Sequence, residues 1–254
     1  MIKVENIYKS FNDVSVLEGI SVLFEKGKTN LIIGRSGSGK TVLMKCIVGL
    51  HEVNSGSIFF DDRDFVSMNF KERKNLRREI GMLFQGSALF DSLSVEENVM
   101  FPLNMFTTMT LEEKKERTNT CLNRVSLVNV NHLYPGELSG GMKKRVAIAR
   151  AIVQNPKYLF CDEPNSGLDP KTALVIDDLI SEITHEYDIT TVINTHDMNS
   201  VMEIGEKVVF IHEGRKCWEG TREEILDSED VNLNDFVFAS NFAKKIKSLT
   251  SDNK

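Results

Sequence analysis

Eight consecutive residues, Gly34-Arg35-Ser36-Gly37-Ser38-Gly39-Lys40-Thr41, constrain this chain more than any others. They fit the pattern G-x-x-x-x-G-K-[ST] at every fixed position. An apolar run, Asn30-Leu31-Ile32-Ile33, leads into them. Beyond them, Leu43, Met44, Ile47 and Val48 recur at helical spacing, which predicts a helix from about Lys40 to Leu50. Strand, glycine-rich turn and helix in that order suit a polyanion. Glycines let backbone N–H groups turn toward phosphate oxygens with no Cβ in the way. The helix start adds unpaired N–H groups and the positive end of its dipole. Lys40 would place a positive charge near the β- and γ-phosphates, and the Thr41 hydroxyl suits Mg²⁺. A chance glycine turn is disfavoured, because a buried strand precedes the loop and a helix follows it.

The rest of the chain extends this α/β pattern. Residues Ile2–Glu25 alternate apolar and polar positions in two runs, which predicts antiparallel strands. Strands are expected at Ile58–Phe60, Ile80–Phe84, Tyr158–Cys161, Thr190–Asn194, Lys207–His212 and Arg215–Glu219. Helices are expected near Lys71–Glu79, over most of Ser94–Ala151, and near Lys171–Glu186 and Met198–Ile204. Ser94-Val95-Glu96-Glu97 and Thr110-Leu111-Glu112-Glu113 have the form of capping boxes. Buried strands alternating with helices imply a mainly parallel sheet. With 254 residues, 41% hydrophobic, there is material for one large α/β domain or two small ones. The net charge of −6 disfavours a dedicated nucleic-acid binder despite the basic run Lys71–Arg78, which reads as a solvated helix face. Apolar runs such as Val208–Ile211 fall far short of the roughly 20 residues that cross a bilayer. Met1-Ile2-Lys3-Val4-Glu5 lacks the organisation of a secretory signal, so a cytoplasmic location is expected. The four cysteines are scattered without metal-ligand spacing and read as reduced, with Cys46 and Cys161 in the core.

A second element narrows the chemistry. Tyr158-Leu159-Phe160-Cys161-Asp162-Glu163 is an apolar run ending in two adjacent acids and closed by Pro164. A carboxylate at the end of a parallel strand can hold Mg²⁺ on the nucleotide phosphates, and the next one can polarise an attacking water. Asp162 is therefore expected on the metal and Glu163 as general base.

At this point the sequence resembles the ABC (ATP-binding cassette) ATPase family over residues 1 to about 220. Leu138-Ser139-Gly140-Gly141-Met142 is similar to that family's signature motif. The resemblance implies that this motif binds, in trans, the γ-phosphate of an ATP held by the phosphate loop of a second copy. It also implies a homodimer in the ATP-bound state. Gln85 matches the Q-loop glutamine, which senses Mg²⁺ or water. Ser166-Gly167-Leu168-Asp169 matches the D-loop, and His196 the switch histidine that contacts the γ-phosphate. Phe11 stands where an aromatic residue stacks on adenine. The implied cofactors are ATP and Mg²⁺, with Thr41, Gln85 and Asp162 toward the metal. The implied fold is a P-loop NTPase with a RecA-like parallel-sheet core, an N-terminal antiparallel β-subdomain and an inserted helical subdomain at about 90–152. A helical extension is expected over 221–254, with helix-like Asn241–Leu249 and a polar tail from Ser248.

The chain departs from the commoner signature at Met142 and at Lys143-Lys144-Arg145. With Leu138–Arg150, Leu83–Val99 and Gly34-Arg35-Ser36-Gly37, these residues are similar to the Mla/Mkl branch. That resemblance implies a motor peripheral to the cytoplasmic face of the inner membrane, driving phospholipid transport through a separate permease. An Mce-type lipid-binding protein and a small regulator are the implied accessories, and nucleic acid is not among the expected partners. Gly86–Leu103, with Leu89, Phe90, Phe101 and Leu103, is either a dock for the permease or ordinary core. Two alternatives stay open: another cargo (lipoprotein, amino acid or drug), or a non-transport cassette acting on nucleic acid or ribosomes. Compact spacing between Lys40 and Leu138, without sustained heptads, disfavours the DNA-repair type.

Overall fold

The computed structural model describes residues 1–238. The stretch Asn241–Leu249 and the polar tail lie outside the described residues. The chain divides into two compact units, one made of 1–25, 30–66 and the segment from 194 onward, the other of 26–29 and 67–193.

The first unit contains the antiparallel sheet. Strand β1 (Ile2–Phe11) buries Ile2, Val4 and Ile7 and pairs with β2 (Val14–Phe24), with Ile2 opposite Phe24. Its alternation breaks between Val4 and Ile7, where the register shifts and Asn6 takes φ 49°. An extra residue in one strand turns the following side chains to the other face, so Ile7 returns to the core. On the other side of β1 lie β4 (Ser55–Phe60) and the short β5 (Arg63–Asp64), giving the order β2-β1-β4-β5. The same unit holds β3 (Thr29–Ile33, its first residue in the second unit), buried throughout, which pairs in parallel with β9 (Lys207–His212). Strand β10 (Arg215–Gly220) runs antiparallel to β9. Helices α1 (Lys40–Ile47), α7 (Met198–Ile204) and α8 (Val231–Val237) complete it.

In the second unit, β8 (Thr190–Thr195, its last residues in the first unit), β7 (Tyr158–Asp162) and β6 (Ile80–Leu83) lie side by side. β6 and β7 run parallel, with Leu83 opposite Cys161. Around them are α2 (Phe70–Arg77), α3 (Val95–Phe106), α4 (Leu111–Arg124), a 3₁₀ turn (Pro135–Glu137), α5 (Gly140–Ile152) and α6 (Pro170–Glu186). Both expected capping boxes form, Ser94 with Glu97 and Thr110 with Glu113, and a third joins Asn69 and Glu72. All four cysteines are free, three of them buried, and burial pushes the Cys46 thiol up to about 11. The three buried thiols are core packing.

One buried polar side chain organises the loop between β6 and α3. Asn98 is fully buried and accepts from Phe90 N (2.8 Å) while its amide donates to the carbonyls of Phe90, Leu93 and Ser94 (3.1, 2.9 and 3.0 Å). Truncating it removes the partner of Phe90 N and of the Leu93 carbonyl, at about 1–3 kcal/mol for each group left unsatisfied. The Asn98→Ala protein is expected to lose about 2–4 kcal/mol of stability. Urea unfolding checks this, as a lower midpoint at unchanged slope.

Candidate functional site

In the first unit, β3 delivers the chain into the loop and α1 receives it. The tip, Arg35, Ser36 and Gly37, is exposed, while Ser38, Gly39 and Lys40 are buried beneath it. A Cβ on Gly34 would lie 2.2 Å from the carbonyl oxygen of Ile211, so the loop's first residue admits no side chain. Gly39 caps α1 in the left-handed conformation with no side-chain cap, and no acid occupies the first turn. By contrast, α2, α3 and α4 all carry glutamates in their first turns, the ordinary answer to a helix dipole. The N-terminus of α1 is thus left electropositive.

Lys40 is only 6% exposed, and its Nζ donates to the carbonyls of Gly34 (2.7 Å) and Arg35 (3.1 Å). The ammonium is already desolvated and held over the loop. The buried Ser38 hydroxyl has no hydrogen-bond partner among the described residues. An orphaned hydroxyl in a glycine-rich loop at a helix start is what a phosphate oxygen would satisfy. Thr41 follows as the first-turn hydroxyl of α1.

The first unit also holds Phe11 and His196. Phe11 ends β1 with 38% exposure, Lys9 Nζ 4.7 Å from its ring centre and the His51 ring edge-on at 5.2 Å. His196 is exposed, between β8 and α7, just before Asp197, which caps α7 through Asn199 N.

The second unit holds the two acids. Asp162 is the last residue of β7 and is 6% exposed, whereas Glu163 is half-buried and takes φ 49°. A non-glycine residue held there costs about 1–3 kcal/mol and persists only where its surroundings over-determine it. Gln85 is exposed in the turn after β6. Two residues on, Ser87 and Ala88 both lie at positive φ, 63° and 47°. This turn is gripped by α5: Arg150 donates to the carbonyls of Ser87 and Ala88, each at 2.7 Å, and Lys144 to that of Gln85.

The signature and the D-loop meet at two neighbouring helix starts. Leu138 is buried, and Ser139 caps α5 by accepting from Met142 N at 3.2 Å. α5, like α1, has no acid in its first turn. Gly140 and Gly141 lie where α5 passes α6, and a Cβ on Gly141 would come 2.7 Å from Thr172 Cγ2. On α6, Asp169 is the cap, accepting from Thr172 N at 3.1 Å and from the Thr172 hydroxyl, and these bonds hold its carboxyl below the usual range. Ser166, Gly167 and Leu168 form the preceding turn.

Of the residues expected either to dock a permease or to fill the core, Phe90 and Phe101 line a groove of about 390 Å³ with Phe84, Phe106, Arg77 and Arg150. Leu103 is 2% exposed and belongs to the core. Lys144 and Arg150 are supporting residues that sequence reasoning missed. No local pattern in this helix marks a cation as buried, yet Lys144 is 4% exposed. Burial pushes its ammonium below the usual range, against the opposing influence of Cys161, Glu163 and Asp162.

Comparison with known proteins agrees with this geometry. The family described as "ABC transporter" matches residues 17–166, more than half of the chain. The chain belongs to the ABC transporter family. It is an ATP-binding, ATP-hydrolysing motor subunit of that class. It is 38% identical to the methionine import ATP-binding protein MetN of Campylobacter jejuni, over 95% of this chain and 77% of the relative. For the protein of the same name from Clostridium tetani the figures are 39%, 96% and 82%. Among solved structures it is similar to a dimeric bacterial ABC transporter cassette, MJ0796 (31% identity, TM-score 0.81, covering 87% of this chain and 99% of that one). It is also similar to cbiO1 of Clostridium perfringens, part of the ABC transporter complex cbiONQ (31%, TM-score 0.83, 98% of each chain). The expected cassette fold therefore holds.

The resemblance to the Mla/Mkl lipid branch does not hold. These relatives carry the name of a methionine importer, and the lipid cargo and Mce-type partner fall with that branch. The structure gives the physical reason. Ser94 and Glu97 close a capping box, Asn98 closes a loop, and Lys144 and Arg150 brace a turn. Those are tasks a cassette has whatever its permease carries.

Proposed function

We propose that this chain is the motor of an importer for methionine or a closely similar amino acid, acting through a separate membrane permease. The observation that carries the reading is identity of 38–39% over nearly the whole chain to ATP-binding proteins named for methionine import. No helix among the described residues is long and apolar enough to cross a membrane, so a permease has to supply the path. The motor would sit peripherally on the inner face of the cytoplasmic membrane. The aromatic groove edged by Arg77 and Arg150 is the proposed seat for a permease segment.

Each site residue has a proposed task. Gly34–Thr41 cradles the phosphates and Phe11 stacks on adenine. Gln85 orients the water, Glu163 takes its proton, and His196 contacts the γ-phosphate. Leu138–Met142 binds the ATP of a second copy and Ser166–Asp169 links the two sites. The acid-free first turn of α5 supports this in-trans role, as does the dimeric state of the similar MJ0796 cassette. Residues 1–220 form the ATPase domain in this reading, with 221–254 as an extension.

The donors proposed for Mg²⁺, the Thr41 hydroxyl, the Gln85 amide oxygen and the Asp162 carboxylate, are all hard oxygens. Among the described residues no cluster of three or more His, Cys, Asp or Glu forms an all-protein cage. Few protein oxygens, with phosphate and water completing the shell, is how Mg²⁺ sits on nucleotides. When bound it would neutralise charge on the β- and γ-phosphates.

Reconstitution with the permease that co-purifies from native membranes tests the cargo. ATP-dependent uptake of labelled methionine, competed by unlabelled methionine, is expected in proteoliposomes. ATP-driven movement of a different solute without methionine uptake would replace the cargo and leave the motor.

A further inference from the structure

Within the second unit, a single buried cation joins three pieces that the proposed chemistry uses separately. Lys144 lies on α5, five residues beyond the cap Ser139, with 4% of its surface exposed. Its Nζ donates to the carbonyl oxygen of Gln85 and, at 3.4 Å, to that of Glu163. The Glu163 carbonyl also accepts from Ser166 N at 3.2 Å, so the first D-loop residue turns on the same atom. Burying an ammonium is unfavourable unless its donors are used, and an ammonium has three to place. Here two of them fall on the main chains of the Q-loop glutamine and of the acid next to Asp162.

Both main chains are in conformations that need support. Glu163 has φ 49°, and the turn after Gln85 has two successive left-handed residues. Arg150 secures the far end of that turn through Ser87 and Ala88 but makes no hydrogen bond to Glu163. Lys144 secures its near end and spans to the acid.

We propose that Lys144 is a positioning residue for hydrolysis. It holds the Gln85 and Glu163 main chains in fixed register with the signature helix, so a shift of α5 moves both water-facing side chains together. The inference rests on the reading of Glu163 as base and Gln85 as water ligand. It assigns no proton transfer to Lys144, whose hydrogen bonds go to carbonyl oxygens. Misplacing reacting groups by about 1 Å costs about 10²-fold in rate, while nucleotide affinity is set by other atoms.

Lys144→Met and Lys144→Gln in the full chain separate support from packing, with Glu163→Gln measured alongside. Methionine matches the lysine stem in volume and donates nothing; glutamine is one bond shorter but keeps two N–H donors without the charge. A fall of about 10–100-fold in kcat is expected for Lys144→Met, with KM and the Kd of a labelled ATP analogue within about two-fold of the parent. Lys144→Gln is expected to regain most of the lost turnover. Parent-like turnover in Lys144→Met overturns the proposal. So does an equal loss of affinity and kcat, or a glutamine variant no better than methionine. A parent-like Lys144→Met beside an inactive Glu163→Gln removes the support role and keeps the base. An active Glu163→Gln removes the base reading itself.

Discussion

Turnover of the Glu163→Gln protein falls by about 10²–10³-fold while its affinity for ATP stays nearly unchanged. The substitution exchanges a carboxylate for an amide of the same shape, which cannot accept the proton of the attacking water. Little else should move. The strained φ of 49° and the bonds its carbonyl accepts from Lys144 and Ser166 belong to the main chain and are indifferent to the side-chain head group. The phosphate loop belongs to the other compact unit and keeps its own contacts. Loss of hydrolysis with retained binding has a second consequence. ATP would bridge two copies in the closed state and ADP would not, so blocking hydrolysis prolongs closure. Light scattering after gel filtration should find a dimer with ATP and Mg²⁺ for the variant and a shorter-lived one for the parent. Phosphate release at the parent rate would place the general base elsewhere.

How legible the molecule was depends on whether a residue's task is local. The phosphate loop, the capping boxes at Ser94 and Thr110, and the helix near Lys171–Glu186 could be read directly. Each is specified by neighbours a few positions away, and each forms as expected, the helix as Pro170–Glu186. The bulge at Asn6 was hidden, because only pairing with β2 and β4 shows that alternation slips there. Helix α8 was placed only within a helical extension over 221–254, without bounds of its own. It is seven residues long, and its Phe236 meets Phe210, 5.5 Å away between ring centres and 26 positions distant in sequence. The roles of Lys144 and Arg150 were hidden for the same reason: a cation's burial depends on distant carbonyls, here those of residues 85, 87, 88 and 163. The cargo error has a different source. Residues shared with one branch were credited to its substrate, although their contacts brace the nucleotide machinery. Nothing in a motor's local chemistry encodes what its permease carries, so kinship over the whole length is the better guide.

ATP affinity of the Lys40→Ala protein falls by about 10²-fold, the largest binding effect expected of any single side chain here. The ammonium is proposed to meet oxygens of the β- and γ-phosphates, and a hydrogen bond to a charged group contributes about 1.5–3 kcal/mol. At about 1.4 kcal/mol per tenfold, one such bond gives roughly 10–100-fold and two exceed it. The structure favours the upper end. Lys40 is 6% exposed before any nucleotide arrives, so its desolvation is already met by folding, and the Gly34 and Arg35 carbonyls aim it across the loop. A cation held ready in this way loses little side-chain freedom on binding. Those two carbonyl bonds also brace the loop, so alanine removes a structural tie together with the charge. Lys40→Met separates the two effects by keeping the apolar stem. It should match alanine in lost affinity and show a smaller fall in melting temperature. Binding should not vanish in either protein. The loop's N–H groups, the bare N-terminus of α1 and the unpartnered Ser38 hydroxyl remain for the phosphates. Equilibrium titration with a labelled ATP analogue measures the difference. An affinity within about three-fold of the parent, far below what one charged hydrogen bond contributes, would mean that the backbone cradle holds the phosphates and that Lys40 serves the loop's own fold.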